Sequence, residues 1–108
     1  MSEQPLGLSH AVYFTLKTPT PENRAALIAS CRKYLSGQPG LVHFSAGERG
    51  TNYQRPVNDQ QFDVALTVVF ATEADHDAYQ QSPDHLQFIA ENSPTWAQVR
   101  VFDALVEV

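Results

Sequence analysis

Cysteine is almost absent from this sequence: Cys31 is the only one, so no disulfide can form within the chain. It sits inside an apolar helical pattern and reads as a small buried residue. A catalytic thiol is the lesser reading, because activated thiols need electropositive, accessible surroundings. Basic residues are also scarce. Seven Lys and Arg, scattered along the chain, stand against 12 Asp and Glu, a formal net charge of -5. This argues against nucleic acid or an anionic membrane as partner, since both are bound through a basic face that displaces counterions. No apolar run is long enough to span a bilayer, and Met1-Ser2-Glu3-Gln4-Pro5 has neither the basic start nor the apolar stretch of a secretory leader. A cytoplasmic, soluble protein is expected. No Ser-His-Asp order or GxSxG elbow supports a hydrolase. Gly47-x-x-Gly50 lacks the Lys-Ser/Thr that completes a phosphate loop. His10, His43, His76 and His85 contain no i, i+4 pair of the kind that builds a local metal site. Neither a metal nor a cofactor is expected.

What is present suffices for one small domain. Of the 108 residues 43% are hydrophobic, enough for a core with little to spare. Residues 1–8 are expected to be a flexible N-terminus and 9–108 the domain. His10 to Lys17 alternates, with His10, Val12, Phe14 and Leu16 on one face, and reads as a strand. Thr20-Pro21-Glu22 starts a helix that runs to about Ser36, with Leu27, Ile28, Cys31, Tyr34 and Leu35 forming its buried stripe. Leu41 to Ala46 is a second strand, in which Val42, Phe44 and Ala46 share a face. Gly47 to Gln60 is a long polar loop of the kind that contacts a ligand or a partner. Its Glu48, Arg49 and Asp59 read as solvated charges. Phe62 to Phe70 is the strongest strand, with Phe62, Val64, Leu66, Val68 and Phe70 on its apolar face. A helix follows from Thr72, and Val99 to Val106 is the last strand. His76, between Asp75 and Asp77 in the first helical turn, is expected to be solvated.

The second helix is interrupted at Tyr79-Gln80-Gln81-Ser82-Pro83-Asp84-His85. Ser82 can cap a new helix, and Pro83 suits its first position, where a missing N–H costs no hydrogen bond. The break releases Tyr79 and His85 from one continuous packing face. The first turn of the restarted helix favours a neutral His85 ring, and a neutral imidazole beside a phenol can transfer protons. The plainer reading is that Tyr79 and His85 satisfy each other or backbone groups and staple the break. His10 opens the first strand at the edge of the core and needs a partner of its own. Phe88, Trp96 and Phe102 could line a pocket but are more often plain core.

Strand, helix, strand, strand, helix, strand is the order of the ferredoxin-like βαββαβ fold. It has a four-stranded antiparallel sheet with the helices on one face, and is α+β in class. The other face, carrying Tyr13, Ala65, Thr67 and Val69, is left bare, and a second copy of the same sheet is its simplest cover.

His10-Ala11-Val12-Tyr13-Phe14-Thr15-Leu16-Lys17, Pro39-Gly40-Leu41-Val42 with Gly47 after it, and Phe62-Asp63-Val64-Ala65 leading to Phe70 form one part of a pattern. Tyr79-x-x-x-Pro83-x-His85-x-x-Phe88 and Asp103 complete it. The whole resembles the stress-responsive A/B-barrel (Dabb) family. The resemblance implies a dimeric α+β barrel in which two sheets close on each other. It also implies a pocket in which Tyr79 and His85 match the tyrosine and histidine of a plant polyketide-cyclase branch that works without cofactor or metal. His10 matches that branch's first-strand pocket histidine. Ser82 stands where the branch has a histidine before the proline, and Val64 where it has a third pocket histidine.

The leading expectation is a homodimer binding a small apolar molecule in a pocket lined by Val12, Phe14, Leu66 and Phe88 and ringed by His10, Tyr79 and His85. An enzyme is the second reading, a cofactor-independent lyase, cyclase or isomerase with His85 as base, Tyr79 as donor and His10 beside them. A purely structural dimer is the third.

Overall fold

The computed structural model describes residues 6–108. Its elements are β1 (Gly7–Leu16), α1 (Pro21–Leu35), β2 (Leu41–Glu48), β3 (Val64–Phe70), α2 (Glu73–Gln80), α3 (Pro83–Asn92) and β4 (Trp96–Val106), with a short 3₁₀ turn over Ser93–Thr95. The sheet is antiparallel in the order β2-β3-β1-β4. This is the ferredoxin-like βαββαβ arrangement, with the second helix split into α2 and α3. β1 begins three residues before the expected start and includes Gly7 and Leu8. Residues 1–5 of the expected flexible N-terminus lie outside those described.

Side-chain oxygens cap each helix start. Thr20, Thr72 and Ser82 accept the backbone N–H groups of Asn23, Asp75 and His85, each at 3.1 Å. Each cap satisfies one of the donors that a helix start leaves without an intrahelical acceptor. Before β2 the chain turns at Gly40, where φ is +83° and an added Cβ would collide with the Asp75 carboxylate.

The core lies between one sheet face and the helices. Val12, Phe14 and Leu16 of β1 and Val64, Leu66, Val68 and Phe70 of β3 pack there against Leu27, Cys31 and Leu35 of α1, with Tyr79 and Phe88 closing it. Burial pushes the Cys31 thiol up to about 12, so it stays protonated as an inert core group. No helix among the described residues is long and apolar enough to cross a membrane.

Three local expectations need correction. Val42 does not share the core face with Phe44 and Ala46. A register shift between Leu41 and His43 turns Val42 outward and lets Leu41 pack with Phe44 and Ala46 instead. Phe62 lies outside β3 and packs edge-on against Tyr13, on the opposite sheet face from Val64. The chain is held just there by Asp63, whose N–H donates to the Phe14 carbonyl and whose carboxylate accepts the Leu16 N–H. Glu48, Arg49 and Asp59 are not simply solvated. Glu48 pairs with Arg24 and Asp59 with Arg100, while Arg49 donates to the Phe62 carbonyl and the Gln60 side chain. The polar loop is thereby pinned to the sheet.

Candidate active site between the sheet and the broken helix

Strand register places the first group. His10 stands directly opposite Asp103 across the β1–β4 pair, and its Nδ1 lies 2.5 Å from a carboxylate oxygen. The ring is buried, and desolvation lowers its pKa more than the neighbouring carboxylate raises it. A neutral His10 therefore donates its Nδ1–H to Asp103 and keeps a lone pair on Nε2.

The helix break places the other two. The Ser82 hydroxyl holds the backbone N–H of His85, and the His85 ring turns back so that Nδ1 lies 3.0 Å from the Gln80 carbonyl. A carbonyl only accepts, so Nδ1 carries the proton and Nε2 presents a lone pair. In an unbroken helix the Gln80 carbonyl would bond to the backbone N–H four residues on. The break frees it to orient the imidazole. Burial is the main cause that lowers the His85 pKa, with smaller contributions from His10 and His76.

Tyr79 lies in the last turn of α2, 3% exposed, with its ring 4.6 Å from that of His85 and 4.9 Å from Phe70. Burial pushes its pKa up, so the hydroxyl keeps its proton. Tyr79 and His85 pack ring against ring but do not hydrogen-bond each other. Among the described residues the Tyr79 hydroxyl and His85 Nε2 form no hydrogen bond. Of the plainer reading, the mutual bond is absent, while the backbone alternative holds for His85, whose Nδ1 meets the Gln80 carbonyl.

These groups border one cavity of about 170 Å³. Its floor is Val12 and Phe14 of β1, Leu66 of β3 and Val99 and Val101 of β4. Tyr79, Gln80, His85, Phe88 and Ile89 form the roof, and Trp96 closes one end. His10, Tyr79 and His85 are thus brought together, and Val12, Phe14, Leu66 and Phe88 all line the space between them. Phe102, by contrast, is half-exposed on the opposite face. It lines a larger hollow of about 490 Å³ with Tyr13, Tyr53, Phe62 and the pinned loop.

Sequence reasoning missed one feature. His76 is buried, 8% exposed, not solvated. Its position three residues before Tyr79 places both on the inward stripe of α2, and its ring lies 5.1 Å from His10 and 5.9 Å from Phe70. The i, i+3 relation to Tyr79 was the available signal, outweighed by the flanking acids Asp75 and Asp77. Trp96 lines the cavity, packs 4.8 Å from Phe14, and has a buried Nε1–H without a hydrogen-bond partner among the described residues.

Solved structures share this fold across nearly the whole chain. A dimeric ferredoxin-like protein of unknown function from Thermobifida fusca superposes with a TM-score of 0.78 at 22% identity, covering 98% of this chain and 96% of that one. A Dabb family protein with a ferredoxin-like fold from Mesorhizobium loti gives 0.77 at 24% identity, with 95% and 98% covered. The hydroxynitrile lyase from Passiflora edulis gives 0.77 at 20% identity, with 96% of each chain covered. No curated protein matches the sequence. The family model described as the stress responsive A/B barrel domain (Dabb) matches residues 8–106, so the chain belongs to that family.

Proposed function

We propose that this protein is a homodimer that binds a small, mostly apolar molecule between the sheet and the broken helix, holding it by a polar group directed at Tyr79 and His85. The observation that carries this reading is the convergence of His10, Tyr79 and His85 on one cavity whose remaining walls are almost entirely apolar. A cavity of about 170 Å³ suits a body the size of one aromatic ring or a short aliphatic chain. The Tyr79 hydroxyl donates and His85 Nε2 accepts, so a carbonyl or hydroxyl compound complements the pair. Dimerisation is supported by the half-buried Tyr13, Ala65, Thr67 and Val69 on the helix-free sheet face, and by the dimeric state of similar structures.

A second reading, cofactor-free acid–base catalysis, is favoured by one observation. The Gln80 carbonyl fixes the His85 tautomer with its lone pair on Nε2, beside a phenol that keeps its proton. Such a pair can remove a proton next to a carbonyl while the phenol stabilises the developing enolate. The Passiflora hydroxynitrile lyase has this fold, so an enzyme reading requires no change of scaffold.

A panel of small aromatic and aliphatic ketones, aldehydes and phenols, screened by calorimetry and then soaked into crystals, tests both readings. The expected result is density in the cavity with an oxygen near Tyr79 and His85. A panel in which no compound binds there would defeat the binding reading. For any compound that is turned over, His85→Ala should abolish turnover while retaining binding. Unchanged turnover would remove His85 as base.

A further inference from the structure

His10, at the wall of the cavity, also belongs to a second cluster. Its Nδ1 meets Asp103, and the His76 ring from α2 packs 5.1 Å away. One ring nitrogen from each histidine and one Asp103 oxygen lie within 4.8 Å of one another. Among the described residues this is the one such trio of His, Cys, Asp or Glu. We propose that His10, His76 and Asp103 bind a divalent first-row transition metal ion of the zinc(II) or cobalt(II) type.

The donor chemistry selects that class. Two imidazoles and one carboxylate suit zinc and its first-row neighbours, whereas calcium and magnesium favour all-oxygen shells. Both rings are withdrawn from water, 5% and 8% exposed, and lie 5.1 Å apart. Neutral imidazole is the ligand form. A second shell is also in place. His76 Nδ1 lies 3.2 Å from the Asp77 carboxylate, so that ring donates there and directs Nε2 away from it. Nε2 now lies 3.2 Å from the Gln80 side-chain nitrogen, which yields the position to an ion. Metal–ligand bonds of about 2.0–2.2 Å require the donors to draw closer together. The Asp103 side chain, 45% exposed, gives the ion an entry path. Three protein ligands leave at least one coordination position for water.

The inference does not rest on the ligand pocket being occupied or on any chemistry at Tyr79 and His85. Its test is titration of the metal-free, full-length protein with cobalt(II), followed by visible absorption, with zinc(II) as competitor. Expected are ligand-field bands saturating at one ion per chain and displaced by zinc. Loss of an outer-shell partner already costs about 10–100-fold in affinity, so Asp103→Asn and His76→Gln should each weaken binding by about tenfold or more. His43→Ala, which removes an exposed histidine elsewhere, should bind as the wild type does. The proposal is overturned if the wild type gives no saturable bands, or if Asp103→Asn binds cobalt as tightly as wild type. Asp103 is half-exposed and outside the core cluster, so this variant decides the matter even if His76→Gln fails to fold. Ligand binding measured on metal-free protein stands or falls separately.

Discussion

Tyr79 carries a hydroxyl that the described protein groups leave without a hydrogen bond, at the wall of a cavity its own ring helps to bury. Its removal should therefore cost the fold little and the site much. Tyr79→Phe is expected to change unfolding free energy by about 1 kcal/mol or less, since no internal hydrogen bond is lost. Any ligand that binds the wild type should bind more weakly. Parallel chemical denaturation and calorimetry check both halves, and a variant that loses stability but not affinity would assign the hydroxyl a purely structural role. His85 gives a prediction in pH. Its folded pKa lies below the ordinary 6.5, chiefly through burial. Above 6.5 the ring is neutral whether the chain is folded or unfolded, and its contribution to stability is complete. As pH falls, the unfolded chain takes up the proton first, so this contribution is lost on the way down through the folded pKa. His10 and His76 face the same region and Tyr79 stays neutral there, so part of the acid sensitivity belongs to His10. Urea midpoints measured from about pH 7 to about pH 5 should fall less steeply for His85→Gln than for wild type. Equal slopes would mean that His85 is not held neutral by the fold.

At the level of elements, the α2–α3 break matters most. Ser82 and Pro83 make it locally: the serine accepts a new helix's first donors, and the proline has no N–H to leave unpaired. The tertiary consequence is that the Gln80 carbonyl turns to the His85 ring. Ser82→Ala should cost about 0.5–2 kcal/mol, the usual loss for an N-cap. It should also weaken ligand binding, because the same hydroxyl holds the backbone N–H of His85. Ser82→Asp, which can still cap, should restore both. Recovery of stability without affinity would separate the cap from the placement of the imidazole.

At the scale of the whole molecule, the proposed homodimer rests on the sheet face that the helices leave uncovered. The chain's Cα radius of gyration, 14.7 Å, exceeds the roughly 13 Å of a compact domain of this length, and its shortest extent is 17 Å, the depth of one sheet and one helix layer. The helix-free face carries half-buried Tyr13, Ala65, Thr67 and Val69 with exposed Phe102. A monomer would leave that surface to water. Light scattering at micromolar concentration should give twice the chain mass. Val69→Asp, which places a charge on that face, should shift the species toward monomer. A monomeric wild type would contradict the assembly.

By itself the sequence determined the order of elements, the helix caps, the placed break and the spacing of Tyr79 and His85. Each of these depends on periodicity or capping within a few residues. Only the tertiary structure decided that His10 meets Asp103, 93 residues away, because strand register is settled by pairing along whole strands. The same is true of the bulge that turns Val42 outward and of the face to which Phe62 turns. His76 shows the limit most clearly. Its neighbours Asp75 and Asp77 suggest a solvated turn, but α2 rests on β1 and β3 through the stripe that His76 shares with Tyr79. Which side of a short helix is buried is a property of what it packs against.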